Sequence, residues 1–185
     1  SSARYASGTT PATFIVNKLI TVLTDFSVPA KTFGDVSFNL IAPTINRDGA
    51  ITYTSSNTAV ATVSGSRVTI VGGGSATITA FQAITPIYAS GTTTATLVVN
   101  QATTVLSNFS VPTKTFGNAA FNIVAPTTNG NGAITYTSSD TTVATVSGTT
   151  ITIVSGGTTT ITANQASTTN YTAGTITATL IVNQA

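Results

Sequence analysis

The chain has 185 residues, of which 5% are charged and 41% hydrophobic, with six lysines and arginines, four acids, and neither histidine nor cysteine. A net charge of +2 spread this thinly is no electrostatic footprint for nucleic acid or an anionic membrane. Without cysteine there is no disulfide framework, and without histidine or glutamate no ordinary base can activate the many serine and threonine hydroxyls.

Residues 1–19 belong to a pattern that recurs. Tyr5, Tyr88 and Tyr171 are spaced by 83 residues, as are Gly8, Gly91 and Gly174, and Asn17, Asn100 and Asn183. Thr21–Ala102 aligns without a gap onto Thr104–Ala185. A fixed period of this length marks an array of folded modules. The expected organisation is the C-terminal strands of a preceding repeat in 1–19, then complete repeats in 20–102 and 103–185. Because the period runs undisturbed through residues 1–19, the segment reads as an excerpt of a longer array. A native start at Ser1 would instead leave orphan strands carrying Phe14 and Val16, which would pair with a neighbouring subunit by strand donation.

Within the first complete repeat, short alternating segments are separated by turn residues, the pattern of an all-β sandwich of about seven strands. Thr21–Phe26 opens, and Val36–Ile41 follows a turn near Phe33-Gly34. Ala50–Ser55 alternates Ile51 and Tyr53 with Thr52 and Thr54. Val60–Val63 and Arg67–Val71 flank Ser64-Gly65-Ser66. After Gly72-Gly73-Gly74, Ala76, Ile78 and Ala80 alternate with threonines, and Thr92–Asn100 closes the repeat. Threonine suits the outward positions: its branched Cβ fits extended backbone and its hydroxyl wets the surface without charge. The inward set, with Phe26, Phe38, Tyr53 and Tyr88 the largest, is the expected core. Gln101-Ala102-Thr103 joins the repeats with no Gly, Pro or Ser-rich hinge, which predicts a semi-rigid rod.

The run Ala50–Gly65, followed by Val68–Ala80, resembles the bacterial immunoglobulin-like (Big) domain family. Its signature is a tyrosine or tryptophan strand, a Ser-Ser-Asn/Asp turn, a Val-Ala-x-Val strand and a closing Thr-Ile-Thr-Ala. Ala133–Gly148 and Ile151–Ala163 repeat that signature. The resemblance implies tandem immunoglobulin-like β-sandwich domains. It implies for function a spacer or binding module of adhesins, secreted surface proteins or virus and phage particles.

Comparing the copies tests each polar residue. Asp25, Asp35 and Asp48 face Asn108, Asn118 and Asn131, while Asp140 faces Asn57. The shared property is an Asx side chain able to bond a turn, and the charge is dispensable. No cofactor, metal site or catalytic residue is expected. The Gly72–Gly74 cluster lacks the lysine and following helix of a phosphate loop and reads as a strand connection. Lys31 and Lys114 are the one charge kept in both copies. They suit an edge strand, with inter-chain contact in a fibre as the sharper reading; an isopeptide bond lacks an acid retained in both copies. Asn108 and Asn170 head N-glycosylation sequons absent from the first copy. Phe81 and Arg67 occur in one copy only, and could mark a binding site.

The function expected is a non-catalytic structural segment of a long extracellular stalk, filament or adhesin at a cell surface. Its partners would be further immunoglobulin-like repeats of the same chain and identical chains in a fibre. The alternatives are a module binding surface glycans or host proteins, and a virion or phage fibre or decoration component. No nucleic acid and no membrane insertion of this segment are expected, since no apolar run is long enough to cross a bilayer.

Overall fold

The computed structural model describes Ser2, Arg4, Gly8 and residues 11–47 and 49–185. The expectations placed on Tyr5 and Asp48 fall outside these residues.

The first repeat forms nine strands: β1 (Leu23–Thr24), β2 (Lys31–Thr32), β3 (Phe38–Asn39), β4 (Thr44–Ile45), β5 (Ile51–Ser55), β6 (Ala61–Ser64), β7 (Arg67–Ile70), β8 (Gly74–Gln82) and β9 (Gly91–Asn100). The second repeats them as β10 (Leu106–Ser107), β11 (Lys114–Thr115), β12 (Phe121–Asn122), β13 (Thr127–Thr128), β14 (Ile134–Ser138), β15 (Ala144–Ser147), β16 (Thr150–Ile153), β17 (Gly157–Gln165) and β18 (Gly174–Asn183). One sheet of each repeat has the order β2-β9-β8-β5 or β11-β18-β17-β14, and another β3-β7-β6 or β12-β16-β15; β1 pairs with β4, and β10 with β13. Among the described residues, all ladders are antiparallel except β2 on β9 and β11 on β18. This is an immunoglobulin-like sandwich: a four-stranded sheet with a parallel edge, and a three-stranded sheet sharing its core.

About seven strands were expected per repeat, and nine are found in each among the described residues. The two additions, β2 and β4, are two residues each and have no room for apolar alternation. Only their ladders define them: Lys31 and Thr32 lie beside Val99 and Asn100, and Thr44 and Ile45 face Thr24 and Leu23.

The long strands show why alternation is informative. Along β8, Ala76, Ile78, Ala80 and Gln82 are buried while the residues between them face outward. Leu97 and Val99 of β9, Val68 of β7 and Ala61 of β6 complete a cluster that also holds Leu40 and Val60. Its counterpart in the second repeat is Ile123, Val143, Ala144, Ile151, Ile161, Leu180 and Val182. Phe26 stacks on Tyr53 at 5.9 Å at the core's margin, as Phe109 does on Tyr136 at 6.0 Å. Burial of Tyr53 and Tyr136 raises both phenolic pKa values above the ordinary 10.0.

Asx residues hold the turns. Asp25 and Asn108, at φ of 59° and 57°, take the left-handed conformation that Asx side chains tolerate after β1 and β10. Thr32 N–H donates to Asp35 Oδ2 (2.9 Å), and Thr115 N–H to Asn118 Oδ1 (3.0 Å). Ala59 N–H donates to Asn57 Oδ1 (3.1 Å), and Thr142 N–H to Asp140 Oδ1 (2.9 Å). The acid and the amide are interchangeable at these turns because both offer the same acceptor oxygen.

Residues 11–18, expected to lie in the last strands of a preceding repeat, join no ladder among the described residues. Leu19 makes an isolated parallel bridge to Tyr88.

Candidate functional site: the junction between repeats

A turn within the β17–β18 connection is built by one threonine. Thr168 N–H donates to Tyr171 O (2.9 Å), and the Thr168 hydroxyl accepts from the N–H groups of Asn170 (3.3 Å) and Tyr171 (3.2 Å). With its backbone satisfied locally, this turn projects Asn170 and Tyr171 toward the first repeat.

Three kinds of contact seat it there. The Tyr171 ring meets Phe33 edge-on, with centroids 5.5 Å apart. Gly73 N–H donates to Asn170 Oδ1 (2.9 Å). The exit strand adds a parallel bridge at Ala102–Tyr171: Ala102 N–H donates to Asn170 O (2.8 Å) and Thr172 N–H to Ala102 O (2.9 Å). Gln101 Nε2 donates to Thr168 O. Thr104, buried just beyond the linker, donates its hydroxyl to Thr172 O. The linker is thereby bonded along its length.

Gly73 is required by distance. A Cβ on it would stand 2.1 Å from Thr169 O, and such contact with backbone cannot relax by a side-chain movement. Its φ lies outside the left-handed region, so the need is for close approach between repeats. The sequence reading as a strand connection missed this role. The available signal was that Gly73 and Phe33 persist as Gly156 and Phe116.

Tyr88 also departs from expectation. It is absent from the core cluster of its repeat and lies at the entry end, where Leu19 N–H donates to Ile87 O (2.8 Å) and Ala89 N–H to Leu19 O (2.9 Å). Lys18 Nζ donates to Thr85 O (2.8 Å), standing where Gln101 stands at the junction. The Arg47 guanidinium covers the Tyr88 ring at 5.3 Å.

The other candidates have separate surroundings. Lys31 Nζ lies 4.8 Å from the Phe38 ring centroid and Lys114 Nζ 4.6 Å from that of Phe121, the same cation–π contact within each repeat. Asn108 is exposed, with its Nδ2 donating to Thr127 Oγ1 (3.4 Å), whereas Asn170 is half-buried at the junction. Arg67 bonds Ser37 Oγ from β7, and Phe81, 40% exposed, stands on β8; they belong to different sheets and build no shared site. Among the described residues, no three or more Asp or Glu side chains cluster as metal ligands, and no helix is long and apolar enough to cross a membrane.

Residues 47–84 match the family model described as the intimin immunoglobulin-like domain. The resemblance to bacterial immunoglobulin-like domains therefore holds over the segment running from the entry of β5 to the end of β8. No curated protein matches the chain. Among solved structures, Drosophila N-cadherin EC1-4 is similar at 11% identity and a TM-score of 0.38, covering 90% of this chain. This chain spans 50% of that fragment's length. The titin domains Z1Z2, solved in complex with telethonin, are similar at 13% identity and a TM-score of 0.44, covering 92% of this chain and 100% of that one. Domains 4 and 5 of the S-layer protein SbsC are similar at 22% identity and a TM-score of 0.32, covering 79% and 86%.

Proposed function

We propose that this chain is a non-catalytic structural segment of an extracellular stalk, filament or adhesin, in which stacked immunoglobulin-like repeats set a distance from a surface. The observation that carries this reading is the seating of the Thr168–Tyr171 turn on Phe33 and Gly73. It adds a polar lock and an aromatic contact to a linker already bonded to the second repeat. A junction made this way fixes the angle between repeats, as a spacer requires and a flexible tether does not. The match to an intimin domain supports placement at a cell surface. Hydroxyls of Thr168, Ser155 and Thr142 are engaged in turns, which fits a framework role for the abundant threonine and serine. Low charge leaves little repulsion against lateral association of such rods.

Small-angle X-ray scattering of the chain in solution tests the reading. The expected profile is that of one fixed arrangement of the two repeats, unchanged with salt. A profile that demands a broad spread of inter-repeat angles would sink the spacer assignment.

A further inference from the structure

The Thr168–Tyr171 turn is seated by Phe33, Gly72, Gly73, Gln101 and Ala102 of the first repeat. Moved along by one period, these positions are Phe116, Ser155, Gly156, Gln184 and Ala185. Those five residues line a cleft of about 320 Å³ on the second repeat. We propose that this cleft is a socket for the tyrosine-bearing turn of a further repeat of the same kind, joined directly after Ala185 and carrying Thr, Asn and Tyr as at 168, 170 and 171.

Exposure follows occupancy. Phe33 is half-buried beneath Tyr171, while Phe116 is 49% exposed. Gly73 is buried beneath Thr169 and Asn170, while Gly156 is only half-buried. The cleft is open to the same chemistry: an aromatic ring for an edge-on tyrosine, and a glycine N–H for an asparagine oxygen. Ser155 replaces Gly72, but its hydroxyl is turned back onto Thr142 O (2.7 Å). The Gln184 side chain lies over Gly156, its Cγ 3.0 Å from where a Cβ would stand, near the place that Thr169 takes above Gly73. Seating a turn swings that side chain outward, to the position from which Gln101 Nε2 bonds Thr168 O. The occupant is thus specified by the junction already present, through one shared geometry.

This inference rests on the reading of the junction as a fixed joint, and the test separates the two. Residues 103–185 are appended directly after Ala185, and amide exchange is compared with that of the 185-residue chain. Gly73 serves as the internal standard of an occupied socket. Exchange at Gly156 and in the Phe116 segment is expected to slow about fivefold, the effect of one added hydrogen bond. Asn170→Ala in the appended copy alone should return Gly156 to its original rate while that copy stays folded. Unchanged exchange at Gly156, with Gly73 still protected, overturns the socket and leaves the joint intact. Fast exchange at both glycines overturns the joint reading as well. Protection of Gly156 that rises with the concentration of the unextended chain assigns the cleft to a second copy and overturns the covalent-neighbour assignment.

Discussion

Tyr88 and Tyr171 stand at the same position of successive repeats. The Tyr88 ring lies under its own repeat's Arg47 at 5.3 Å, while Tyr171 meets Phe33 of the other repeat at 5.5 Å. Position 47 becomes Gly130 in the second repeat, so no guanidinium competes for Tyr171. The turn geometry is common to both: Thr85 and Thr168 fold it with the same backbone bond at 2.9 Å. Both turns also bridge the segment that precedes their repeat, at Leu19–Tyr88 and Ala102–Tyr171, so the retained turn keeps its backbone seat while its tyrosine ring meets a different side chain in each copy. The adjoining residue differs too, since Ile87 has no oxygen to offer where Asn170 accepts from Gly73.

The sharpest way to break this contrast is at the glycines. Gly73→Ala should unseat the turn from the face of the first repeat, removing the Asn170 bond and the Tyr171 contact together, a loss of about 1–3 kcal/mol of coupling. Gly156→Ala is tight only against the flexible Gln184 side chain, its backbone neighbours Val182 O and Gln184 N lying at ordinary contact distance, and should leave thermal unfolding nearly unchanged. Calorimetry of both variants checks the pair, and equal effects would refute the close-approach argument. Next in size, Tyr171→Ala should cost this chain about 1–2 kcal/mol and Tyr88→Ala less, because among the described residues Tyr171 alone of the two makes an aromatic contact with the other repeat. A double-mutant cycle of Phe33→Ala with Tyr171→Ala should show coupling of about 0.5–1.5 kcal/mol.

The repeats differ in their interiors as well. Gln82 and Gln165 are both buried, and each donates its Nε2 to a glycine carbonyl, at 3.3 Å and 3.0 Å respectively. Thr128 donates to Gln165 Oε1 (2.6 Å), but Ile45 stands in its place beside Gln82, whose Oε1 has no partner among the described residues. Thr128→Ile should therefore destabilise the second repeat by about 1 kcal/mol, and Ile45→Thr should narrow the gap from the other side. Denaturant midpoints of the two variants decide it.

The smallest difference is one of pH. The Thr142 hydroxyl first, and then its N–H, holds the Asp140 carboxyl below its ordinary value of 3.8. A depressed folded-state pKa contributes stability above the unfolded value, and that contribution is lost as pH falls through the folded one. The Asp140 turn should weaken slightly more than the equivalent Asn57 turn on acidification below 3.8, since Asn57 has no proton to gain. Asp140→Asn should remove the difference in an acid titration followed by amide exchange.

How much of this was legible in the sequence follows from where the signals lie. β5, β8 and β9 alternate over five to ten residues, and burial follows that alternation closely. β2 and β4 were invisible because two residues cannot express a period, and their ladders are made with distant partners. Tyr88 was read as core because it is large and recurrent, whereas its counterpart Tyr171 belongs to a turn that seats on the other repeat. Its partners Phe33 and Gly73 come from the other repeat, and no pattern within one copy links them. The Asx exchanges were legible because the two copies served as a comparison of turn against charge.

The parallel pairing of β2 with the end of β9 has a consequence for tension. Lys31 and Thr32 lie alongside Val99 and Asn100, and Phe33 N–H adds a bond to Asn100 O (2.8 Å). The chain enters the repeat upstream of β2 and leaves it downstream of β9. Pulling on the two ends drags these parallel neighbours in opposite directions, so their bonds are loaded together in shear instead of being unzipped one at a time. β11 and β18 give the second repeat the same clamp. An array of such units would yield to force in steps, one repeat at a time, each releasing its chain length only after its clamp gives way.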